Sequence, residues 1–295
     1  MDLKPRPSQA SGVQSSTPSR PIAVPPFALV LGAVVSVQFG QAFGKQLFAV
    51  VGPLGVAGLR LSLAALLLLV LRRPRIPADW RSRGLIIAFG AAIATMNVVY
   101  LALAHLPVAV ASTLQLLGPL SVALLGSRRP RDVLWAALAA AGVFLFCGPV
   151  SAPLPVIGVG LALVSAAGMG CYLLVSHRVG AISSDGSPLA LAVACAAVLV
   201  LPFGIAESGT ALLSPAVLLA GLGIAVLSAV VPYSLELAAL RRIPPRVVGV
   251  LQSLEPATGA LAGLLLLAEL LSPVQLVALG CVTAASIGAV LTRDR

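Results

Sequence analysis

The chain is 295 residues long, 59% hydrophobic and only 9% charged, with a mean hydropathy of +1.07. A soluble fold of this size needs a much larger polar surface, so the composition excludes one and points to lipid as the solvent. The formal net charge of +10 is not a nucleic-acid footprint, because the basic residues are divided among separate loops; no nucleic-acid partner is expected.

Residues 1–26 are rich in Pro and Ser and hold no apolar run, which predicts a disordered tail. Beyond it, apolar windows of about 20 residues recur, each long enough to cross a ~30 Å hydrocarbon layer as a helix. Breaks at Pro, Gly and Arg predict ten spans, at roughly 27–45, 52–71, 84–104, 107–126, 132–149, 155–176, 188–206, 215–237, 246–268 and 273–291. The strict alternation that a β-barrel needs is absent. The expected fold class is an all-α polytopic membrane protein. Span 1 has no small-residue cleavage pattern at its end and is expected to act as a signal anchor.

In span 1, Gly32, Ser36, Gly40 and Gly44 recur every four residues, a ridge on which another helix can approach closely. Gln38, Gln41 and Lys45 follow i, i+3, i+7 spacing on the opposite side. That stripe is expected to face a cavity, or else to hydrogen-bond between helices. Span 2 carries Arg60 some eight residues in, about 12 Å deep at 1.5 Å per residue. Asn97 and Tyr100 in span 3, Gln115 in span 4, and Tyr233 and Glu236 in span 8 are further candidates to line a cavity. Glu236 has a second reading, pairing with Arg241 or Arg242. Tyr172 reads as a packing aromatic, and His105 and His177 as solvated loop-adjacent residues. Cys147, Cys171, Cys195 and Cys281 fall inside spans at spacings that suit neither zinc nor a disulfide framework; each reads as a small buried hydrophobe.

Span 9 carries Glu255, on one face with Gln252, Gly259 and Gly263. A charge facing lipid at the helix centre costs ~3 kcal/mol or more, so Arg60 and Glu255 are expected to face the bundle or water. They form either a substrate site or a structural ion pair. The segment around Glu255 is an echo. Leu114–Pro119 reads LQLLGP and Leu251–Pro256 reads LQSLEP, 137 residues later (251 − 114). Pro107 and Pro244 precede them, and both Pro-to-Pro intervals are 12 residues (119 − 107 and 256 − 244). Pro119 and Pro256 are expected to break their helices at equivalent points, which in a transporter points to a binding site.

The loops divide by charge. Arg72, Arg73, Arg75, Arg81 and Arg83 follow span 2, Arg128, Arg129 and Arg131 follow span 4, Arg178 follows span 6, and Arg241, Arg242 and Arg246 follow span 8. Lys4, Arg6 and Arg20 precede span 1, and Arg293 and Arg295 follow span 10. The opposite loops carry Lys45, Glu207 and Glu269. The positive-inside rule places both termini in the cytoplasm. Five spans per half, with charge exchanged between equivalent loops, predicts two inverted repeats, 27–149 and 155–291, the architecture of a secondary transporter. There is no Walker A loop, no H-E-x-x-H and no G-x-S-x-G, so no enzyme, metal or cofactor is expected.

At this point the residues resemble a known family. The stretches GKQLFAVVGPLGVAGLRL (Gly44–Leu61), LGPLSVALLGSRRPRDVLW (Leu117–Trp135), VPYSLELAALRRIPPRVVGVLQSLEPA (Val231–Ala257) and AELLSPVQLVALG (Ala268–Gly280) are similar to the drug/metabolite transporter superfamily, built from two EamA domains. Within it they look like the threonine/homoserine exporters of the bacterial inner membrane. The resemblance implies a ten-helix exporter of small amino acids, with protons as the coupling ion. It departs at Gln115, where that subgroup commonly has an acid. The expected mechanism has Glu255 meeting the substrate ammonium or exchanging a proton, and Arg60 or Lys45 meeting its carboxylate. The alternatives are a broad drug/metabolite exporter and a non-transporting membrane scaffold. Oligomeric state is not encoded in any motif.

Overall fold

A computed structural model describes residues 25–125, 130–147, 154–180, 186–240, 242–243, 248 and 251–292. The N-terminal tail as far as residue 24 and the loop arginines Arg128, Arg129, Arg241, Arg246, Arg293 and Arg295 lie outside the described residues, as do the side chains of Cys147 and His177.

The described residues form helices joined by short turns, with no strand among them. In chain order the elements are α1 (Pro26–Gln46), α2 (Phe48–Arg72), α3 (Trp80–Met96), α4 (Val99–Leu103), α5 (Val108–Gln115), α6 (Leu117–Leu125), α7 (Pro130–Cys147), α8 (Val156–Gly180), α9 (Ser187–Ser208), a 3-10 turn (Gly209–Leu213), α10 (Pro215–Ala225), a π turn (Val226–Val230), α11 (Val231–Leu240), α12 (Glu255–Leu267) and α13 (Pro273–Thr292). Six helical runs are long and apolar enough to cross a membrane, and four shorter apolar helices accompany them. The exposure pattern is inverted relative to a soluble protein. Val198, Phe203, Leu219 and Leu265 are exposed, whereas Gln38, Gln41, Arg60, Asn97 and Gln115 are buried. Lipid accepts the former, and the latter are sheltered by protein.

The small-residue ridge of α1 does what its spacing predicts. Gly32 lies against Leu235, and the Ser36 hydroxyl donates to the Leu227 carbonyl at 2.5 Å. At Gly40 a Cβ would stand 2.7 Å from that of Ser228, so only glycine lets α1 meet the π turn. Beyond this seam, α2 packs along α9 and α7 along α13. The helix α3 packs on α8 and α9, α1 on α11 and α12, α5 on α8 and α12, and α6 on α8.

Several predicted spans are interrupted, each for a local reason. In α2, Gly52 has φ +64 just before Pro53. The backbone groups freed there are taken up by the end of α9: Glu207 accepts from the Gly55 amide at 2.9 Å, and the Ser208 hydroxyl bonds the Val51 carbonyl. Span 3 starts at an Asp79 cap, whose carboxylate accepts from the Ser82 amide at 2.8 Å and is held below its usual pKa first by the Ser82 hydroxyl and then by that amide. The span then breaks at Asn97–Val98, and span 8 passes through the π turn. The echo segments break at Leu116 and at Ser253–Leu254. Mid-helix disruption by the prolines themselves is corrected by this geometry: Pro119 is the third residue of α6, and Pro256 lies in the first turn of α12. There a missing N–H leaves no intrahelical bond unmade. Cys171 is exposed on the outer face of α8, and Cys195 and Cys281 are half-buried, so the expectation of burial is corrected for these thiols; an uncharged thiol is apolar enough to meet lipid.

Candidate functional site

Arg60, 4% exposed, stands at the centre of the bundle. Its Nε donates to the Ser228 hydroxyl and Nη2 to the Ser228 carbonyl, both at 2.5 Å. The π turn makes this possible by presenting hydroxyl and carbonyl of one residue together. Nη1 donates to Asn97 Oδ1, whose own amide nitrogen is tied to the Ile93 carbonyl at 2.7 Å. The Tyr100 ring lies under the guanidinium, 5.5 Å from Cζ to centroid. Every one of these partners is neutral. Three of the five guanidinium N–H groups make these bonds, the Tyr233 hydroxyl also stands within reach of the guanidinium, and no carboxylate pairs with it among the described residues.

The guanidinium borders a cavity of about 90 Å³ that Gln41, Asn97, Tyr100, Gln115, Pro119, Tyr233, Glu236, Gln252 and Glu255 also line. Gln252 Nε2 donates to Glu236 Oε1 at 3.2 Å. Glu236 therefore meets a neutral amide on the next helical segment. Glu255 starts α12 and lines the same cavity. Helices α1 and α12 run parallel, since Gln38 lies against Gly259 and Gln46 bonds the Leu266 carbonyl. One turn back from Gly259, Glu255 is level with Val34, whereas Arg60 is anchored level with Gly40. The two charges are thus separated by about 9 Å along the bundle, at 1.5 Å per residue. Among the described residues no ion pair joins Arg60 to a carboxylate, so the expectation of a structural Arg60–Glu255 pair is not met.

Four buried polar atoms near this chamber have no hydrogen-bond partner: Gln41 Oε1, Tyr100 Oη, Tyr233 Oη and Gln38 Nε2. The first three belong to cavity-lining residues; Gln38 does not line the cavity, and its Oε1 accepts from Ser112 at 2.9 Å. Gln115 lines it but its amide is committed, donating to Ser165 Oγ at 2.7 Å and to the Met96 carbonyl at 3.2 Å. Lys45 does not line the cavity: it sits beyond Gln41, with Nζ 2.7 Å from both Glu269 Oε1 and the Leu106 carbonyl. A lysine with a carboxylate already in hand has little to offer a second. Pro256 is buried at the start of α12 and does not reach the cavity.

Sequence reasoning missed Ser228, Met96 and Met169 as cavity residues, and underrated Tyr172, which lines the cavity and stacks on Phe89 at 5.0 Å. Ser228 left a signal, as the lone polar side chain between Pro215 and Pro232. The methionines left none, since apolar residues at helical spacing read as core. Among the described residues no group of three His, Cys, Asp or Glu is placed to hold a metal ion.

Comparison with known proteins places this geometry in context. Residues 156–291 match the model of the EamA-like transporter family. The chain is 38% identical over 271 residues to the threonine/homoserine exporter RhtA of Escherichia coli K12, covering 90% of this chain and 92% of that protein. It is 38% identical over 286 residues to the threonine/homoserine exporter RhtA of Salmonella typhimurium LT2, covering 95% and 96%. A crystal structure matches the fold with a TM-score of 0.58 at 20% identity, covering 91% of this chain and 98% of that one.

Proposed function

Because this chain belongs to the EamA-like transporter family, a family of membrane carriers and not of enzymes, we propose that it is a secondary active exporter of small zwitterionic amino acids, threonine and homoserine first among them. The observation that carries this reading is the polarity of one small chamber. A buried cation with only neutral partners lines one chamber with two carboxylate side chains, Glu236 and Glu255, the latter offset from it by about 9 Å along α1 at 1.5 Å per residue. A small α-amino acid answers both ends: its carboxylate meets the Arg60 guanidinium, its ammonium Glu255. The exporter RhtA relatives support the substrate and the direction.

Protons are the coupling ion in this reading. Glu236 and Glu255 line the same buried chamber, and two buried carboxylates facing one space favour a proton or an ammonium at their oxygens through the cycle. Competition between the two cations for the same oxygens is the minimal mechanism of antiport.

The cycle uses ten crossings arranged as two inverted repeats, 27–149 and 155–291, with both termini in the cytoplasm of the bacterial inner membrane. The packing supports this: α1 against α11 and α12 has its counterpart in α8 against α3 and α6, while α2 meets α9 and α7 meets α13, each its own equivalent. The breaks at Leu116 and Ser253 are 137 residues apart (253 − 116), the same offset as the sequence echo. Alternating access then rocks one repeat against the other about Arg60 and Glu255. A broad drug exporter is disfavoured by size, since about 90 Å³ falls well below the ~300–1,000 Å³ of pockets for drug-sized molecules.

The test is counterflow with purified protein in proteoliposomes. Threonine and homoserine are expected to exchange saturably, with efflux accelerated by a pH gradient that sends protons in as substrate leaves. No exchange of any small amino acid would overturn the reading.

A further inference from the structure

Resting on that reading, we infer that Gln41 and Tyr100 form a subsite that reads the side-chain hydroxyl of the transported amino acid. Both line the chamber, both are buried (7% and 1% exposed), and both present a polar atom with no partner in the protein, Gln41 Oε1 and Tyr100 Oη. They lie together. The Tyr100 ring packs on Gly44, where a Cβ would stand 3.0 Å from Tyr100 Cε1, and Gln41 is three residues before Gly44 and so is its neighbour on α1, which corrects the opposite-side placement for this member of the polar stripe. This corner is next to Arg60, whose guanidinium covers the Tyr100 ring, and it is on the side away from Glu255. An amino acid held by its carboxylate at Arg60 and its ammonium toward Glu255 has its side chain left for that corner.

The chemistry of the two orphan atoms selects among side chains. Gln41 Oε1 only accepts, and a tyrosine hydroxyl can donate. A group that donates to one and accepts from the other satisfies both, and a hydroxyl is the smallest that does. A methyl in the same place leaves two buried polar atoms unpaired. A carboxylate meets the Gln41 carbonyl oxygen head on, and an ammonium would bring a second cation beside the Arg60 guanidinium. Threonine and homoserine carry the hydroxyl on different carbons, and two partners on different helices can meet either position. The third orphan, Tyr233 Oη, faces Arg60 and Tyr100 as well as Glu236, and so borders both ends of the chamber.

The experiment is competitive counterflow in proteoliposomes preloaded with threonine, using valine, which has a methyl in place of the hydroxyl, and 2-aminobutyrate, which lacks it. Wild type should prefer threonine over both by about 10- to 100-fold, the range set by leaving buried partners unsatisfied. The isosteric Tyr100→Phe and the volume-conserving Gln41→Leu should each reduce that ratio to a few-fold while valine exchange persists. A purely structural role for these residues would lower both rates and leave the ratio alone. Wild type exchanging valine as fast as threonine overturns the subsite and leaves the amino-acid exporter standing. Variants that keep the wild-type ratio overturn the assignment to Gln41 and Tyr100. A wild type that exchanges no amino acid at all overturns the parent function, and the subsite with it.

Discussion

Lys45 Nζ lies 2.7 Å from Glu269 Oε1, joining the end of α1 to the turn between α12 and α13 across 224 residues of chain. The other oxygen of Glu269 accepts from the Val108 amide at 2.8 Å, the first residue of α5, while Lys45 also donates to the Leu106 carbonyl. Three segments from both halves of the protein are closed by two side chains, just beyond the Tyr100 end of the chamber. Any motion that opens the chamber on that side has to part them.

The clasp is part-buried, with side chains 21% and 15% exposed. Removing one partner strands a charge beside a carbonyl or an amide, so Lys45→Met and Glu269→Gln should each destabilise by about 1–3 kcal/mol. The double variant should lose clearly less than the sum. Thermal unfolding in detergent measures the cycle, and strict additivity would show that the pair is not coupled. In transport, the single variants should raise labelling of a cysteine placed at the chamber wall by a reagent added on the clasp side.

Arg60 is held by a fork: Nε and Nη2 on Ser228, Nη1 on Asn97. Arg60→Lys keeps the charge and loses that geometry. The expected outcome is a KM for threonine raised about 10- to 100-fold, the loss of one or two charge-assisted bonds, in a protein that still unfolds cooperatively. An unchanged KM would mean that the carboxylate does not bind there. Arg60→Met should abolish exchange.

Much of this chamber was legible in the sequence, because a charged or amide residue inside an apolar run has few explanations. Arg60, Asn97, Gln41, Glu236, Gln252 and Glu255 stood out on that ground and line one cavity. What could not be read was pairing between distant segments. Lys45 and Gln38 share a stripe with Gln41, yet one turn of helix takes Lys45 to Glu269 and Gln38 to Ser112. Spacing on a helix gives the face, and only the neighbouring helix decides what that face meets. The π turn was equally hidden: Ser228 is an ordinary serine in an apolar run until the extra residue per turn points its hydroxyl and carbonyl the same way.

Glu255→Gln separates exchange from coupling. The amide keeps the shape and an acceptor for the ammonium but carries no exchangeable charge. Threonine–threonine counterflow should survive at reduced rate, while efflux driven by a pH gradient should fall at least about tenfold, the scale of losing a positioned proton carrier. Glu236→Gln leaves Glu255 in place and should produce the milder change of the two, since Glu236 already shares Gln252. If Glu255→Gln effluxes as well as wild type under the gradient, this carboxylate has no part in coupling.

The equivalents Gly118 and Glu255 make a reciprocal pair of predictions. Gly118 sits in α6 directly against the Ala166 carbonyl of α8, with no space for a Cβ. Glu255 occupies the same place in the second half but faces the chamber. The two positions therefore answer to different constraints, packing at one and function at the other. Gly118→Ala forces α6 off α8 and should cost about 1–3 kcal/mol, with transport falling in step with stability. Glu255→Ala deletes a side chain that packs against open volume, so its unfolding temperature should stay near that of wild type while gradient-driven efflux is lost. Thermal unfolding and efflux measured on both variants decide the matter. A fully stable Gly118→Ala, or a Glu255→Ala that loses stability and transport together, would show that the duplicated segments had not divided their roles in this way.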